Sequence, residues 1–213
     1  MIGSEDEARA WLRTLPECDA TAMQRLELLV ALLVEENRHQ NLVSNSSLEQ
    51  VWLRHIVDSA QLLMHVPRGT PQCWMDLGTG AGFPGLVIAA LLPDWEIFMV
   101  ESRARRVDWL ERVRIAMGLG RAQVIGQRLE VVPSRQVDVI SARAFAPLER
   151  LLTLSARFST SDTVWLLPKG RSAPQELDDL RKWRHMFHVE QSLTDPQAGI
   201  IVGTIAGRKG ITR

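Results

Sequence analysis

The chain has 213 residues, 46% apolar and 23% charged, with 25 basic and 25 acidic side chains and a formal net charge of zero. That length allows one domain with a substantial core plus a small appendage, and the neutral balance argues against a purely electrostatic nucleic-acid binder. No apolar run approaches the ~20 residues needed to cross a bilayer, and two cysteines, Cys18 and Cys73, make neither a disulfide framework nor a zinc site.

The opening residues, MIGSEDEARA, are acidic and carry neither the basic nor the apolar region of a signal peptide, so a cytoplasmic protein is expected. Residues 1–70 read as helical. Within 21–41, Met23, Leu26, Leu29, Val30, Leu33 and Val34 recur at three- and four-residue steps, the mark of an amphipathic helix. Within 45–66, Leu48, Val51, Trp52, His55, Ile56, Ser59 and Leu63 share one stripe, and Ser46 or Ser47 can cap its start. The stretch VPRGTPQ, residues 66–72, then breaks the helix.

From Cys73 onward, strands alternate with helices. CWMDLG reads as a buried strand that includes Cys73 as a packing residue, and PGLVIAALL as a helix with Pro84 in its first position. EIFMVES is the next strand, followed by a helix over 103–118 with Val107, Leu110, Val113 and Met117 toward the core. AQVIGQR and VDVISARA are strands three and four, APLERLLTLSARF a helix, DTVWLLPKG a fifth strand and PQELDDLRKW a short helix. FHVEQSLT and GIIVGTIAG close the chain as two strands joined only by a loop, so they should pair antiparallel. The alternation predicts an α/β fold: a mostly parallel sheet with an antiparallel last strand, helices on both faces, and a helical extension (1–70) packed on a core of 71–213. A ligand in such a sheet sits beyond the carboxyl ends of the strands, beside the first one.

That place is taken by WMDLGTGAGFPG, residues 74–85. Gly80, Gly82 and Gly85 match the dinucleotide pattern GxGxxG, and Glu101 follows Gly80 by 21 residues, where an acid would hold a ribose. Two features oppose a dinucleotide. Counted from Gly78, the first glycine after the strand, the third position is Phe83. Asp76 also sits beneath the loop, where a diphosphate wants no fixed negative charge. A P-loop is excluded because no Gly-Lys-Ser/Thr follows. S-adenosylmethionine fits better: a sulfonium, an ammonium, two ribose hydroxyls for Glu101 and no phosphate. Asp76 has a second reading as a loop-bracing carboxylate, and Glu101 as a solvated acid.

DLGTGAGFPGLVIA, with NLVS at 41–44, RHIVDS at 54–59, VESRARRVDWLERV at 100–113, ISARAFAPL at 140–148 and LLPKG at 166–170, resembles the bacterial 16S rRNA guanine-N7 methyltransferase family (RsmG, or glucose-inhibited division protein B). NLVS departs from the Asn-Leu-Thr that many members carry. The resemblance implies a class I, Rossmann-like methyltransferase fold and S-adenosylmethionine as cofactor. The substrate would be 16S rRNA or a small ribosomal subunit particle, for a monomeric enzyme that is not membrane-bound. It also implies that Gly78 and Phe83 line the cofactor pocket, that Leu129 and Glu130 lie along the adenine, and that Arg143 belongs to the cofactor site.

Methylation at guanine N7 uses an available lone pair, so no general base and no catalytic acid–base residue is expected. Arg143 could pair the methionine carboxylate, contact RNA phosphate or guanine O6, or make a structural ion pair. Lys169 could meet RNA phosphate or be a solvated lysine; Phe145 could stack on an extruded base or belong to the core. His55, on its helix stripe, reads more readily as a satisfied core residue. All but three of the 25 basic residues are arginine, and Arg103, Arg105, Arg106, Arg112, Arg114 and Arg121 form a local basic segment, either a phosphate-tracking face or a solvated one. A small-molecule methyltransferase, an NAD-dependent oxidoreductase and a non-catalytic binding module are the competing readings.

Overall fold

The computed structural model describes residues 1–69 and 72–210. The expected boundary between extension and core, at 70/71, lies outside the described residues, as do Thr70 and Pro71 of VPRGTPQ.

Three helices and one irregular helical run build the amino-terminal layer. Helix α1 (Glu5–Leu12) is capped by Ser4, and α2 (Ala20–Glu36) by Asp19, whose carboxylate accepts from the Ala22 N–H at 2.7 Å. Helix α2 buries Ala22, Leu26, Leu29 and Leu33, while Met23 and Val30 are half-buried and Val34 faces solvent. The apolar stripe is therefore narrower than its residue types suggest. Helix α3 (Asn45–Leu48) is capped by Ser44, not by Ser46 or Ser47, which lie inside its turn. A π-helical segment, Trp52–Val57, leads into α4 (Asp58–Ala60) and a 3₁₀ turn, Gln61–His65. Glu5 of α1 caps the π segment: its two carboxylate oxygens accept from the N–H groups of Trp52 (3.1 Å) and Leu53 (2.8 Å), and the Arg9 guanidinium lies 4.0 Å above the Trp52 ring.

The sheet follows from the apolar runs. Strands β1 (Cys73–Leu77), β2 (Glu96–Val100), β3 (Ala122–Ile125), β4 (Val139–Ser141) and β5 (Val164–Lys169) are parallel, in the order β3-β2-β1-β4-β5. The helices between them are α5 (Gly85–Leu91), α6 (Ala104–Ala116), α7 (Leu148–Ser155) and α8 (Ala173–Asp178). Pro84 caps α5 rather than occupying its first position. Strands β7 (His188–Gln191) and β8 (Gly199–Gly203) pair antiparallel, and β8 inserts antiparallel beside β5, so it alone runs against the other six.

Two further expectations need correction. The helix predicted through Trp183 stops at Asp178, and Trp183 opens strand β6 (Trp183–His185). The single closing strand is two, because the chain leaves the main sheet at Thr204 and β9 (Ile205–Arg208) pairs with β6 in a separate two-stranded sheet.

Each sheet face is covered. On one side, Leu26, Leu29, Leu33, Ile56 and Leu62 of the amino-terminal layer pack with α5, α6 and residues such as Trp74 and Ile97 in one continuous core. On the other, Trp165, Phe158 and Leu152 pack against Met75, Leu77 and Ile140. Among the described residues no helix is long and apolar enough to cross a membrane.

Candidate functional site

The glycine loop lies at the carboxyl end of β1, where the sheet order leads to β2 on one side and to β4 on the other. Its first glycine, Gly78, has φ +66°, and a Cβ added there would lie 2.4 Å from Phe145 Cδ2. Gly85, at the other end of the loop, is needed for close approach: a Cβ would meet Met99 Cγ at 2.6 Å and Asp76 Oδ2 at 3.0 Å.

Asp76 is fully buried. Its Oδ1 accepts from Ser141 Oγ at 2.7 Å and its Oδ2 from the Gly85 N–H at 3.0 Å, while Ser141 Oγ accepts from Trp74 Nε1 at 2.8 Å. Burial pushes its pKa up, against the pull of those hydrogen bonds. Asp76 therefore braces the start of α5 from below the loop and does not face the cleft above it.

That cleft has a volume of about 550 Å³. Gly78, Gly80, Phe83, Glu101, Leu129 and Arg143 all line it. Glu101, at the end of β2, is 7% exposed; its Oε1 accepts from the N–H groups of Ser102 (2.7 Å) and Arg103 (2.9 Å), its Oε2 from that of Gly80 (3.1 Å). Three backbone donors thus fix the carboxylate at the cleft rim and tie the loop to β2, while a carboxylate has about four lone-pair sites in all. Glu130 is not brought in: its side chain is exposed and accepts from Arg128 at 3.1 Å, outside the cleft.

The amino-terminal layer supplies a wall that the strand–helix pattern does not reveal. Asn37 Oδ1 accepts from the N–H groups of Leu42 (2.9 Å) and Val43 (3.0 Å), and Arg106 donates to the carbonyls of Asn41 and Leu42. Leu42, Val43, Ser44 and Ser47 then face the glycine loop across the cleft. The one sequence signal for this wall is the NLVS block. Trp109 was also missed: its indole N–H donates to the Ala81 carbonyl at 3.0 Å from a fully buried position, pinning the loop to α6.

A second cleft, of about 600 Å³, lies on the far side of residues 143–145, and Ser47, His55, Arg143, Ala144 and Phe145 border both. His55 stacks on Phe83 with ring centroids 4.8 Å apart, and its Nε2 lies 3.0 Å from Ser47 Oγ. Arg143 reaches Asp58 at 3.2 Å, the Arg54 carbonyl at 3.4 Å and His55 Nδ1 at 3.2 Å. Burial, then the charges of Arg143 and Arg54, lower the His55 pKa to about 3, so the ring is neutral at pH 7 and Nδ1 can accept from Arg143. The second cleft's charges are matched in pairs: Arg143 with Asp58, Arg54 with Asp195 at 3.3 Å, and Lys169 with Glu176 at 2.8 Å. Lys169 is not a free surface cation. Its side chain is 10% exposed, and its ammonium also donates to the Ala146 carbonyl at 3.0 Å.

The basic segment is largely committed within the protein. Arg112 pairs with Glu36 at 2.7 Å, Arg114 with Glu111 at 2.7 Å and Arg121 with Glu96 at 3.8 Å. Arg106 is bound to the backbone wall described above, and among the described residues only Arg103 and Arg105 of the six have no such side-chain partner.

A parallel sheet of this order, one antiparallel strand beside β5, and a glycine loop with a strand-end acid at the β1/β4 switch point define a Rossmann-like methyltransferase fold. Solved structures share it. A SAM-dependent methyltransferase from Aquifex aeolicus aligns with TM-score 0.60 at 15% identity, over 80% of this chain and 98% of its own. An MtNAS variant in complex with S-adenosylmethionine aligns with TM-score 0.60 at 16% identity, over 95% and 84%. Residues 22–197 match the family model for GidB, rRNA small subunit methyltransferase G, and the chain belongs to that family. Its relatives include proteins named ribosomal RNA small subunit methyltransferase G from Erythrobacter litoralis, 57% identical over 95% of this chain and 97% of that one, and from Novosphingobium aromaticivorans, 56% identical over 97% and 90%.

Proposed function

We propose that this protein is an S-adenosylmethionine-dependent methyltransferase acting on N7 of one guanine in 16S rRNA. The observation that carries this reading is the pair of clefts divided by residues 143–145, His55 and Ser47, one rimmed by the glycine loop and Glu101, the other charge-balanced. When bound, S-adenosylmethionine supplies a sulfonium methyl, which the N7 lone pair takes as the N–C bond forms and the S–C bond breaks.

In this reading Gly78, Gly80, Phe83, Glu101 and Leu129 hold the cofactor. Asp76 acts through the loop it braces, and Arg143 acts as the divider between the two ligands. Glu130 contributes by its place in the chain after β3 rather than by its carboxylate. The second cleft suits a neutral base better than a phosphate, because each of its cations already has a carboxylate. Pro147, Pro168 and Phe145 offer it flat apolar walls. With no proton to remove from N7, the work left to these residues is alignment of the two reactants, which is worth several kcal/mol. We also propose that residues 1–70 serve as an extension completing the cofactor cleft of a 71–213 core, and that the protein works as a cytoplasmic monomer.

The test is transfer of labelled methyl groups to small-subunit rRNA or subunit particles, with the modified base mapped. Label at N7 of a single guanine is expected; absence of transfer to any ribosomal RNA or particle overturns the proposal. Calorimetry adds a second arm, in which tight NAD binding with no binding of S-adenosylmethionine would do the same.

A further inference from the structure

A third cleft, of about 790 Å³, is far from the glycine loop. It lies where Gln136 leads into β4 and Ser159–Ser161 lead into β5, at the amino ends of those strands, with the β6–β9 sheet as its other wall. The cofactor cleft is at the carboxyl ends. Strand β5 has six residues, so its two ends are about 17 Å apart.

The chemistry of this remote cleft is one-sided. Arg157, Arg184 and Arg208 line it, and no aspartate or glutamate does. Arg184 and Arg208 are exposed and have no carboxylate or hydrogen-bond partner for their guanidinium groups among the described residues. Arg54, Arg112, Arg114 and Arg143, by contrast, are each matched to a carboxylate. Arg157 is held in place by the Leu129 carbonyl (2.6 Å) and Ser134 Oγ (3.1 Å), again with no carboxylate. Arg208 lies over the Trp183 ring at 5.7 Å, directly across the β6–β9 pair. Trp183 is 4% exposed and its Nε1–H has no acceptor among the described residues. The hydroxyl-rich turn Ser159–Thr160–Ser161 completes the lining; Asp162, next to it, is exposed and accepts from Ser161 at 3.3 Å.

Two unmatched guanidinium forks in a cleft lined by no carboxylate are what a phosphodiester backbone takes, since the forks donate in a geometry that matches phosphate. We propose that this cleft is a second RNA-contact site, binding the sugar–phosphate backbone of the substrate at the end of the sheet opposite to methyl transfer. The proposal rests on the reading of the protein as an rRNA methyltransferase. A substrate the size of ribosomal RNA can touch both ends of the sheet at once, whereas a free nucleotide cannot. Contacts of this kind set register and affinity without reading sequence.

The experiment compares wild type, Arg184→Gln and Arg184→Gln/Arg208→Gln for binding to unmodified small-subunit rRNA from 50 to 200 mM salt, with methyl transfer to the same RNA in parallel. Lys182→Gln, which removes a cation already paired with Glu149 at 2.9 Å, serves as the charge-matched control. Each lost phosphate contact lowers the slope of log affinity against log salt by about 0.7. The double variant should therefore lose about sevenfold less affinity than wild type across that range. At low salt it should bind clearly more weakly, with a raised KM for RNA. Arg184→Gln should show half the slope change, and Lys182→Gln none. Calorimetry with S-adenosylmethionine reports that the variants are folded, because the cofactor cleft is at the other end. Wild-type slope and KM in both arginine variants, or an equal loss in Lys182→Gln, overturn the proposal. A wild type that transfers no methyl to RNA is a different result, and it overturns the function on which the proposal stands.

Discussion

Gly78 and Gly80 separate two effects that are usually confounded in a glycine loop. Both have positive φ, +66° and +61°. A side chain in that region costs about 1–2 kcal/mol whatever surrounds it. Their surroundings differ, however. At Gly80 an added Cβ would meet Arg106 Nη1 at 3.6 Å and the Gly78 carbonyl at 3.7 Å, ordinary contact distances, whereas at Gly78 it would be 2.4 Å from the Phe145 ring. Gly80→Ala should therefore cost about 1–2 kcal/mol, a fall in Tm of roughly 2–8 °C for a chain of this size. Gly78→Ala should cost about 1–3 kcal/mol more, the strain of forcing a ring out of packed surroundings. Removing the ring should relieve only that second part, so Gly78→Ala in a Phe145→Ala background should cost no more than Gly80→Ala does in wild type. Chemical denaturation of the variants measures all of these differences, and calorimetry shows whether cofactor affinity follows the same order. Equal destabilisation at the two glycines, or no relief in the Phe145→Ala background, would refute the assignment of Phe145 as the ring covering Gly78.

Three further perturbations test other supports of the site. Trp109→Phe orphans the buried Ala81 carbonyl and leaves a void where the larger ring was; a loss of about 1–3 kcal/mol from the carbonyl, with the void adding to it, and weaker cofactor binding are expected. Lys169→Met leaves Glu176 without its ammonium partner and the Ala146 carbonyl without its donor, and a cost of about 3 kcal/mol is expected, with Glu176→Gln in the same background recovering part of it. His55 makes stability fall in acid. The unfolded imidazole takes up a proton below about pH 6.5 and the folded one only near 3, so its contribution is fully present above 6.5. It is then lost by up to about 1.4 kcal/mol for each pH unit on the way down. Denaturation curves between pH 7 and 4 should show this slope in wild type and a flatter one in His55→Gln.

The fold was readable wherever one sequence window contained its own explanation. The five parallel strands are apolar runs bounded by turns, and buried strands of that kind need no partner to be recognised. The β6–β9 sheet is different. Trp183 sits in a stretch with helical character, and its strand identity depends on pairing with Arg208, 25 residues later in the chain. Likewise GIIVGTIAG reads as one strand, yet Gly203, at φ +145° against the Met186 carbonyl, turns the chain from one sheet to the other. The same rule holds for the site. The glycine loop and Glu101 are local motifs. The availability of the basic segment is not, because Arg112 is paired with Glu36 and the Arg106 donors are taken by the carbonyls of residues 41 and 42. Asp76 was visible as an acid beneath the loop, but its orientation toward Gly85 and Ser141 could come only from the register of β1 on β4.

The divider between the clefts explains why the amino-terminal layer belongs to the site. Residues 143–146 are secured at both ends: Arg143 by Asp58, His55 and the Arg54 carbonyl, and Ala146 by Lys169. Between these anchors Ala144 is held at φ +51°, a conformation that a non-glycine residue keeps only when its surroundings impose it. One of the two anchors comes entirely from the helical run before β1. Asp58 is itself oriented by Thr194 at 2.9 Å and Gln61 at 3.0 Å, so it is a fixed acceptor and not a mobile surface acid. Loosening that run would release Arg143 and relax Ala144. Phe145 would then be free to leave Gly78, and the wall between the two clefts would open. The helices outside the sheet therefore help to set the wall that divides the two clefts.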